Sequence, residues 1–284
     1  MNHEYLLIRP DQGIRLAERD AGFTNEFASK ADARDKLQSD IANLAKLQDV
    51  FAAARSHGLL IIFQGMDSAG KDSAIKHVMS GVNPQGVRVD SFKTPTEEEA
   101  QHDFLWRCER VLPERGRIGI FNRSYYEEVL IVRVHRELLA REATEPKSDF
   151  WSARFEDINA FERHLVRSGT IVLKFFLHIS KDEQRKRLLE RLDDADKNWK
   201  FSVDDVTERR YWDRYQLAYE QMLSATTTAW APWYVIPADH KWFARTAIAA
   251  NLVAKLESLD LRYPHSEGAA AALLGQIRAQ LEAE

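Results

Sequence analysis

Five short apolar runs along the chain alternate with longer stretches in which apolar residues recur every three or four positions. The runs span residues 59–63, 87–92, 117–121, 170–178 and 233–236. Their length and β-branching suit strands buried on both faces of a parallel sheet. Between them, Leu37, Ile41, Leu44, Leu47 and Phe51 mark an amphipathic helix over 31–57, stopped by Gly58. Further helices are expected over 73–79, 150–167, 181–192, 203–223 and 242–259. Another follows Thr96, whose hydroxyl can cap an acidic first turn (Glu97, Glu98, Glu99), and another follows Asn122 and carries Arg133, His135 and Arg136. Residues 1–30 read as an irregular arm, 193–202 as a hinge or lid tip, and the alanine-rich end of the chain (265–284) as a tail with a loosely packed helix. This alternation predicts one α/β domain over 1–284, a five-stranded parallel sheet with helices on both faces.

Composition narrows the partners. A net charge of −4 on 284 residues argues against a general nucleic-acid coat, so any polyanion must meet a local basic groove. A single cysteine, Cys108, permits no internal disulfide and fits a reducing compartment, its side chain reading as a small apolar filler. No cationic leader precedes an apolar stretch, and Lys174 interrupts the longest apolar run, so a soluble cytoplasmic protein without a membrane anchor is expected.

The first strand runs into Gln64-Gly65-Met66-Asp67-Ser68-Ala69-Gly70-Lys71, and a helix follows. Strand, glycine-bracketed loop, lysine and helix form a phosphate cradle: backbone N–H groups approach an anion, the helix N-terminus adds positive dipole, and the lysine supplies a mobile charge. The match to G-x-x-x-x-G-K-[ST] departs at one place. Asp72 stands where Ser or Thr is usual, and the first hydroxyl is Ser73. Asp67 inside the loop would repel phosphate unless a cation sat between them. The third strand ends at Asn122, a neutral and weaker metal ligand than the acid common at such strand ends, so the missing charge falls to Asp67, Glu127 or Glu128. Arg123 follows that strand end and would project into the crevice where ligands bind. Arg133 with Arg136, and Arg187 with Arg191, lie three and four apart on their helices and extend the site into a candidate anionic groove. His102, His135 and His178 read as structural or surface residues. An acceptor that is itself a phosphate oxygen needs no strong base, because its second pKa lies near 6.

The blocks GMDSAGKDS, IFNRSYYEEV, KNWKFS and APWYVIPADHKW resemble the signatures of family-2 polyphosphate kinases, in order and spacing from about residue 35 to about residue 260. The resemblance implies a three-layer P-loop kinase fold similar to thymidylate kinase, with a helical lid over 181–210. It implies reversible transfer of the terminal phosphoryl group of inorganic polyphosphate to AMP or ADP, with GMP and GDP as further candidates, assisted by Mg2+ or Mn2+. Carried over residue by residue, Gly65, Ser68, Ala69, Gly70, Lys71, Asp72 and Ser73 become the cradle, and Asp67 and Asn122 the metal ligands. Arg123 becomes a transition-state cation, and Arg187 and Arg191 belong to a lid closing over polyphosphate. Arg133 is a further candidate polyphosphate contact from its spacing, and Asn122 departs from the Asp that many members have at its position. The form Asn-Arg-Ser-Tyr-Tyr-Glu, with Glu127, looks like the subgroup accepting both nucleoside mono- and diphosphates. Lys93 and either Phe104 or Trp106 are candidates for acceptor contacts. Related enzymes form dimers or tetramers, so a homo-oligomer is expected. Two rivals remain: an ATP-dependent nucleoside monophosphate kinase of the same fold, and a non-catalytic nucleotide or polyphosphate sensor.

Overall fold

The apolar run before the glycine loop becomes β1 (Gly58–Gly65), buried at every position and paired with a parallel strand on each side. The computed structural model describes residues 3–141, 149–196, 198–265 and 268–284. In chain order β2 (Val87–Ser91), β3 (Ile118–Asn122), β4 (Thr170–His178) and β5 (Trp233–Pro237) complete an all-parallel sheet in the order β2-β3-β1-β4-β5. Around it lie α1 (Lys30–Ala54), α2 (Lys71–Val78), α3 (Trp106–Glu109), α4 (Ile131–Val134), α5 (Phe150–Arg167), α6 (Lys181–Asp193), α7 (Val203–Glu208), α8 (Trp212–Thr226), α9 (Lys241–Glu257) and α10 (Gly268–Glu282). α1 and α2 pack on α9, while α5 packs on β4 and α8. The chain passes from β1 out to β2, back to β3, and then across β1 to β4. This reversal puts the ends of β1, β3 and β4 at one crevice, where α/β sheets bind ligands.

All five expected strands form. Several helices are shorter than the periodicity predicts, because short polar side chains compete for backbone groups. Thr96 does cap, accepting from the Glu99 N–H at 3.2 Å while the Glu99 carboxylate accepts from the Thr96 N–H at 2.9 Å. Only a 3-10 turn (Glu99–Gln101) follows, and the Asp103 carboxylate accepts from the Leu105 N–H before α3 begins. After β3, a 3-10 turn (Tyr125–Val129), α4 and a second 3-10 segment (Arg136–Arg141) replace one helix, so Arg133 and Arg136 share no helical face. The expected helix over 203–223 is likewise divided by a 3-10 turn (Arg209–Tyr211). α1 is stopped by Arg55 in the left-handed conformation (φ 46°) rather than by Gly58, which opens β1.

The N-terminal arm is more ordered than its composition suggests. Leu6 and Ile8 are buried, and the Ile8 and Val235 N–H groups donate across to Trp233 and Leu6. This antiparallel bridge covers the outer edge of β5, a position that would otherwise template strand pairing with another chain. At the other end, α10 exposes Leu273, Leu274, Ile277 and Leu281. Among the described residues no helix is long and apolar enough to cross a membrane.

Lys174, which breaks the apolar run of β4, is fully buried against Glu162 of α5 at 2.6 Å. The hydroxyls of Tyr125 and Tyr126 donate to the same carboxylate at 2.9 and 2.6 Å, and Lys174 also donates to the Thr226 carbonyl and the Tyr126 hydroxyl. Burial pulls the lysine pKa down. The two tyrosines lie two and three residues beyond Arg123, so this buried network anchors the segment that leaves β3.

Candidate active site

The loop from β1 to α2 depends on its glycines. Gly65 has φ 150°, and a side chain there would meet the Leu177 carbonyl at 2.8 Å; Gly70 has φ 105° and forms the N-cap of α2. Ser68 also takes a left-handed conformation, φ 62°. The loop therefore curls around the N-terminus of α2, with its N–H groups near the positive end of the helix dipole. Asp72 and Ser73 occupy the first turn of that helix.

Lys71 is buried, and its ammonium donates to the carbonyls of Gly65 and Met66 at 2.6 and 3.3 Å. Burial first, and then the nearby Arg123 charge, lower its pKa to about 8, against the opposing pull of Asp67, Glu127 and Asp72. Arg123 follows β3 in a left-handed conformation (φ 64°), which its N–H fixes by bonding the Phe63 carbonyl at 3.0 Å. This turn aims the guanidinium back at the loop: it lies 2.6 Å from Asp67 and 3.9 Å from Glu127. The Glu127 charge, more than that of Asp67, raises its pKa against burial, so the group stays cationic.

The Asn122 amide donates to the Asp72 carboxylate, which leaves the Asn122 carbonyl oxygen as a neutral ligand beside Asp72. Among the described residues no three His, Cys, Asp or Glu side chains are arranged to hold a metal by themselves. Mg2+ needs no such set. It takes one or two carboxylates and completes its shell with water and substrate phosphates. The oxygens present fit an ion of that kind.

The structure separates the four arginines proposed for the groove. Arg191 donates to the Ser68 hydroxyl at 2.9 Å and to Asp205 of α7 at 3.0 Å, so it does reach the loop. Burial, and then the Asp67 charge, raise the Asp205 pKa. Arg187 has another role. Its five N–H donors are all taken, by Glu183 and by the carbonyls of Ser68, Ala69, Ala238 and Asp239. A guanidinium so committed braces the loop from behind and leaves no donor for polyphosphate. Arg133 stacks on Trp151 and Phe155 of α5, 5.2 and 5.8 Å from the ring centres, and touches no residue of the loop. Arg136 is exposed. Lys197, in the stretch 193–202 expected to form a hinge or lid tip, lies outside the described residues.

Beside the loop opens a cavity of about 1090 Å³, with Lys93, Phe104, Arg123 and Glu127 in its wall. Phe104 lies under the Arg154 guanidinium, 4.9 Å from the ring centre. Trp106 turns elsewhere, stacked on His102 at 3.8 Å with Arg110 above it. Glu128, His135, Arg154 and Glu208 also line the cavity. Of the three histidines read as structural or surface residues, His102 and His135 both line this cavity. No local signal in the sequence marks these residues, since the fold gathers them from separate elements. His178 is structural as expected, bonded to the Arg19 carbonyl at 3.0 Å and kept below its ordinary pKa by burial. Burial pushes the Cys108 thiol up to about 12, which makes it an inert filler.

Residues 27–264 match the family model described as Polyphosphate kinase 2. The chain is 51% identical over 260 residues to a protein of Rhodopseudomonas palustris named ADP-polyphosphate phosphotransferase, covering 90% of each. It is 46% identical over 263 residues to a protein of Meiothermus ruber named AMP/ADP-polyphosphate phosphotransferase, covering 92% of this chain and 96% of the relative. The crystal structure of polyphosphate kinase 2 from Arthrobacter aurescens TC1 superposes with a TM-score of 0.88 at 41% identity, covering 97% of this chain and 96% of the other.

Proposed function

The chain belongs to the polyphosphate kinase 2 family, and from that membership we propose that it transfers the terminal phosphoryl group of inorganic polyphosphate to AMP and ADP, reversibly. The observation that carries this reading is the position of Arg123. It touches Asp67 of the phosphate loop and lines the large cavity, so one cation borders both halves of the site. The donor end rests on the loop N–H groups and Lys71, and the acceptor enters the cavity past Lys93 and Phe104. Asp67 and Asn122 would hold Mg2+ or Mn2+, which would supply neutralisation of charge on the phosphates. Arg123 faces the phosphoryl group in flight, and Glu127 holds that guanidinium in line. The segment 181–210, with Arg191 on Ser68, is the lid over the donor. No base is required, because the acceptor phosphate is largely ionised at neutral pH, and alignment with charge neutralisation suffices. Guanine nucleotides are further candidate acceptors.

The decisive assay supplies AMP or ADP with long-chain polyphosphate and Mg2+ and omits ATP. ADP and ATP are the expected products. Transfer from ATP alone would instead identify a nucleoside monophosphate kinase, and binding of both ligands without transfer would identify a sensor.

Lys71 adds a pH signature. With its pKa near 8, kcat/KM for polyphosphate should fall about tenfold per unit once pH rises well past that value, as the free enzyme loses the ammonium. Lys71→Arg stays charged throughout this range and should lack that limb at its residual rate. A flat wild-type profile up to about pH 9.5 would remove Lys71 from donor binding.

A further inference from the structure

The lid helix α7 is six residues long and carries a carboxylate near its middle and another at its end. Asp205 accepts from Arg191, whose other nitrogen donates to Ser68 of the phosphate loop. One turn later, Glu208 is 2.9 Å from His135 Nε2 and accepts from the Tyr215 hydroxyl at 2.6 Å. His135 and Glu208 both line the cavity. One short helix is therefore tied to the donor cradle through Asp205 and to the acceptor wall through Glu208.

We propose that Glu208 is a positioning residue that, through His135, couples closure of the lid over the donor to the shape of the acceptor pocket. This rests on the reading of the cavity as the nucleotide site. It deepens that reading by identifying the connection between the two substrates.

The chemistry of the pair favours a deliberate tie over an incidental surface contact. Both ring nitrogens of His135 face carboxylate oxygens, Nε2 on Glu208 and Nδ1 on Glu137 at 3.1 Å. Only the imidazolium, with two N–H donors, satisfies both. The ring is mostly buried, with Tyr211 edge-on at 4.9 Å and Tyr215 beyond it. The titratable groups facing it are thus Glu137, Glu208, Tyr211 and Tyr215, with Arg123 and Glu127 elsewhere on the same cavity wall. Burial lowers the His135 pKa, but its hydrogen bonds to Glu208 and Glu137 outweigh it and hold the value above the ordinary 6.5. Because the folded pKa is raised, the tie is complete below the ordinary value and is lost as pH rises through the folded one.

The test compares the wild type with Glu208→Gln, His135→Gln and the double variant, after unfolding midpoints establish that each is folded. Each single variant should raise KM for ADP at saturating polyphosphate and KM for polyphosphate at saturating ADP by a similar factor, about five- to tenfold, because a coupling between two sites is reciprocal. The double variant should be no worse than either single, because one contact is removed twice. Raising pH through the folded His135 pKa should raise KM for ADP at saturating polyphosphate in the wild type and leave it flat in His135→Gln. A rise in one KM alone, or multiplying effects in the double variant, would overturn the coupling. Calorimetric titration with ADP, alone and with polyphosphate present but metal omitted to block transfer, separates this failure from that of the functional reading. Wild type that binds no ADP removes the acceptor pocket itself. Wild type whose affinity for ADP is the same with and without polyphosphate keeps the pocket and removes only the tie.

Discussion

Arg123→Ala lowers kcat for polyphosphate-dependent transfer by on the order of 10³-fold, the size of effect that a transition-state arginine supplies in phosphoryl transfer. The expectation rests on where the charge sits. The guanidinium lies between the acid of the phosphate loop and Glu127, at the boundary of the acceptor cavity, and its raised pKa keeps it cationic at every working pH. The side chain is about one-third exposed, so its removal leaves no cavity and the fold should persist. Most of the loss should fall on kcat, since a contact made to the moving phosphoryl group is strongest in the transition state. Arg123→Lys should recover little, because an ammonium cannot span two oxygens as a planar fork does. Steady-state kinetics with both substrates varied checks the point. A change confined to KM, with kcat retained, would reduce Arg123 to a binding contact.

The second large effect is on stability. Glu162→Ala should cost about 3–5 kcal/mol, the range for breaking a buried ion pair by removing one partner. Lys174 is fully enclosed, and without the carboxylate its charge has no countercharge, while two tyrosine hydroxyls lose their acceptor. Glu162→Ala combined with Lys174→Met should recover much of the loss, since the uncompensated charge then disappears. Urea unfolding at neutral pH measures both. A loss below about 1 kcal/mol for the single variant would show the pair to be dispensable. Because Tyr125 and Tyr126 anchor the chain just past Arg123, the single variant should also lose activity before it loses its fold.

How much of this was legible in the sequence follows from which forces are local. The five strands were readable because a strand buried on both faces writes itself as an unbroken apolar run, as at 59–63. The cradle was readable because main-chain anion binding needs glycine at fixed places, and Gly65 and Gly70 take the conformations that require it. The helix breaks near Asp103 and Ser124 were hidden, since a side chain bonded to its neighbour's N–H leaves apolar periodicity unchanged. Spacing put Arg187 and Arg191 on one face of α6. It could not say that one would point at carbonyls behind the loop and the other at its hydroxyl. His135 was hidden for the same reason: its partner Glu208 is 73 residues away, and only the fold brings them together.

The bracing of the loop by Arg187 has a consequence for how an anion is received. In a planar trans peptide the C=O and the following N–H point in opposite directions. With the Ala69 carbonyl drawn onto Arg187, the Gly70 N–H in the same plane must turn to the other side. That one donor is therefore turned away from Arg187 in advance, and an anion arriving on its side need not flip the peptide to recruit it.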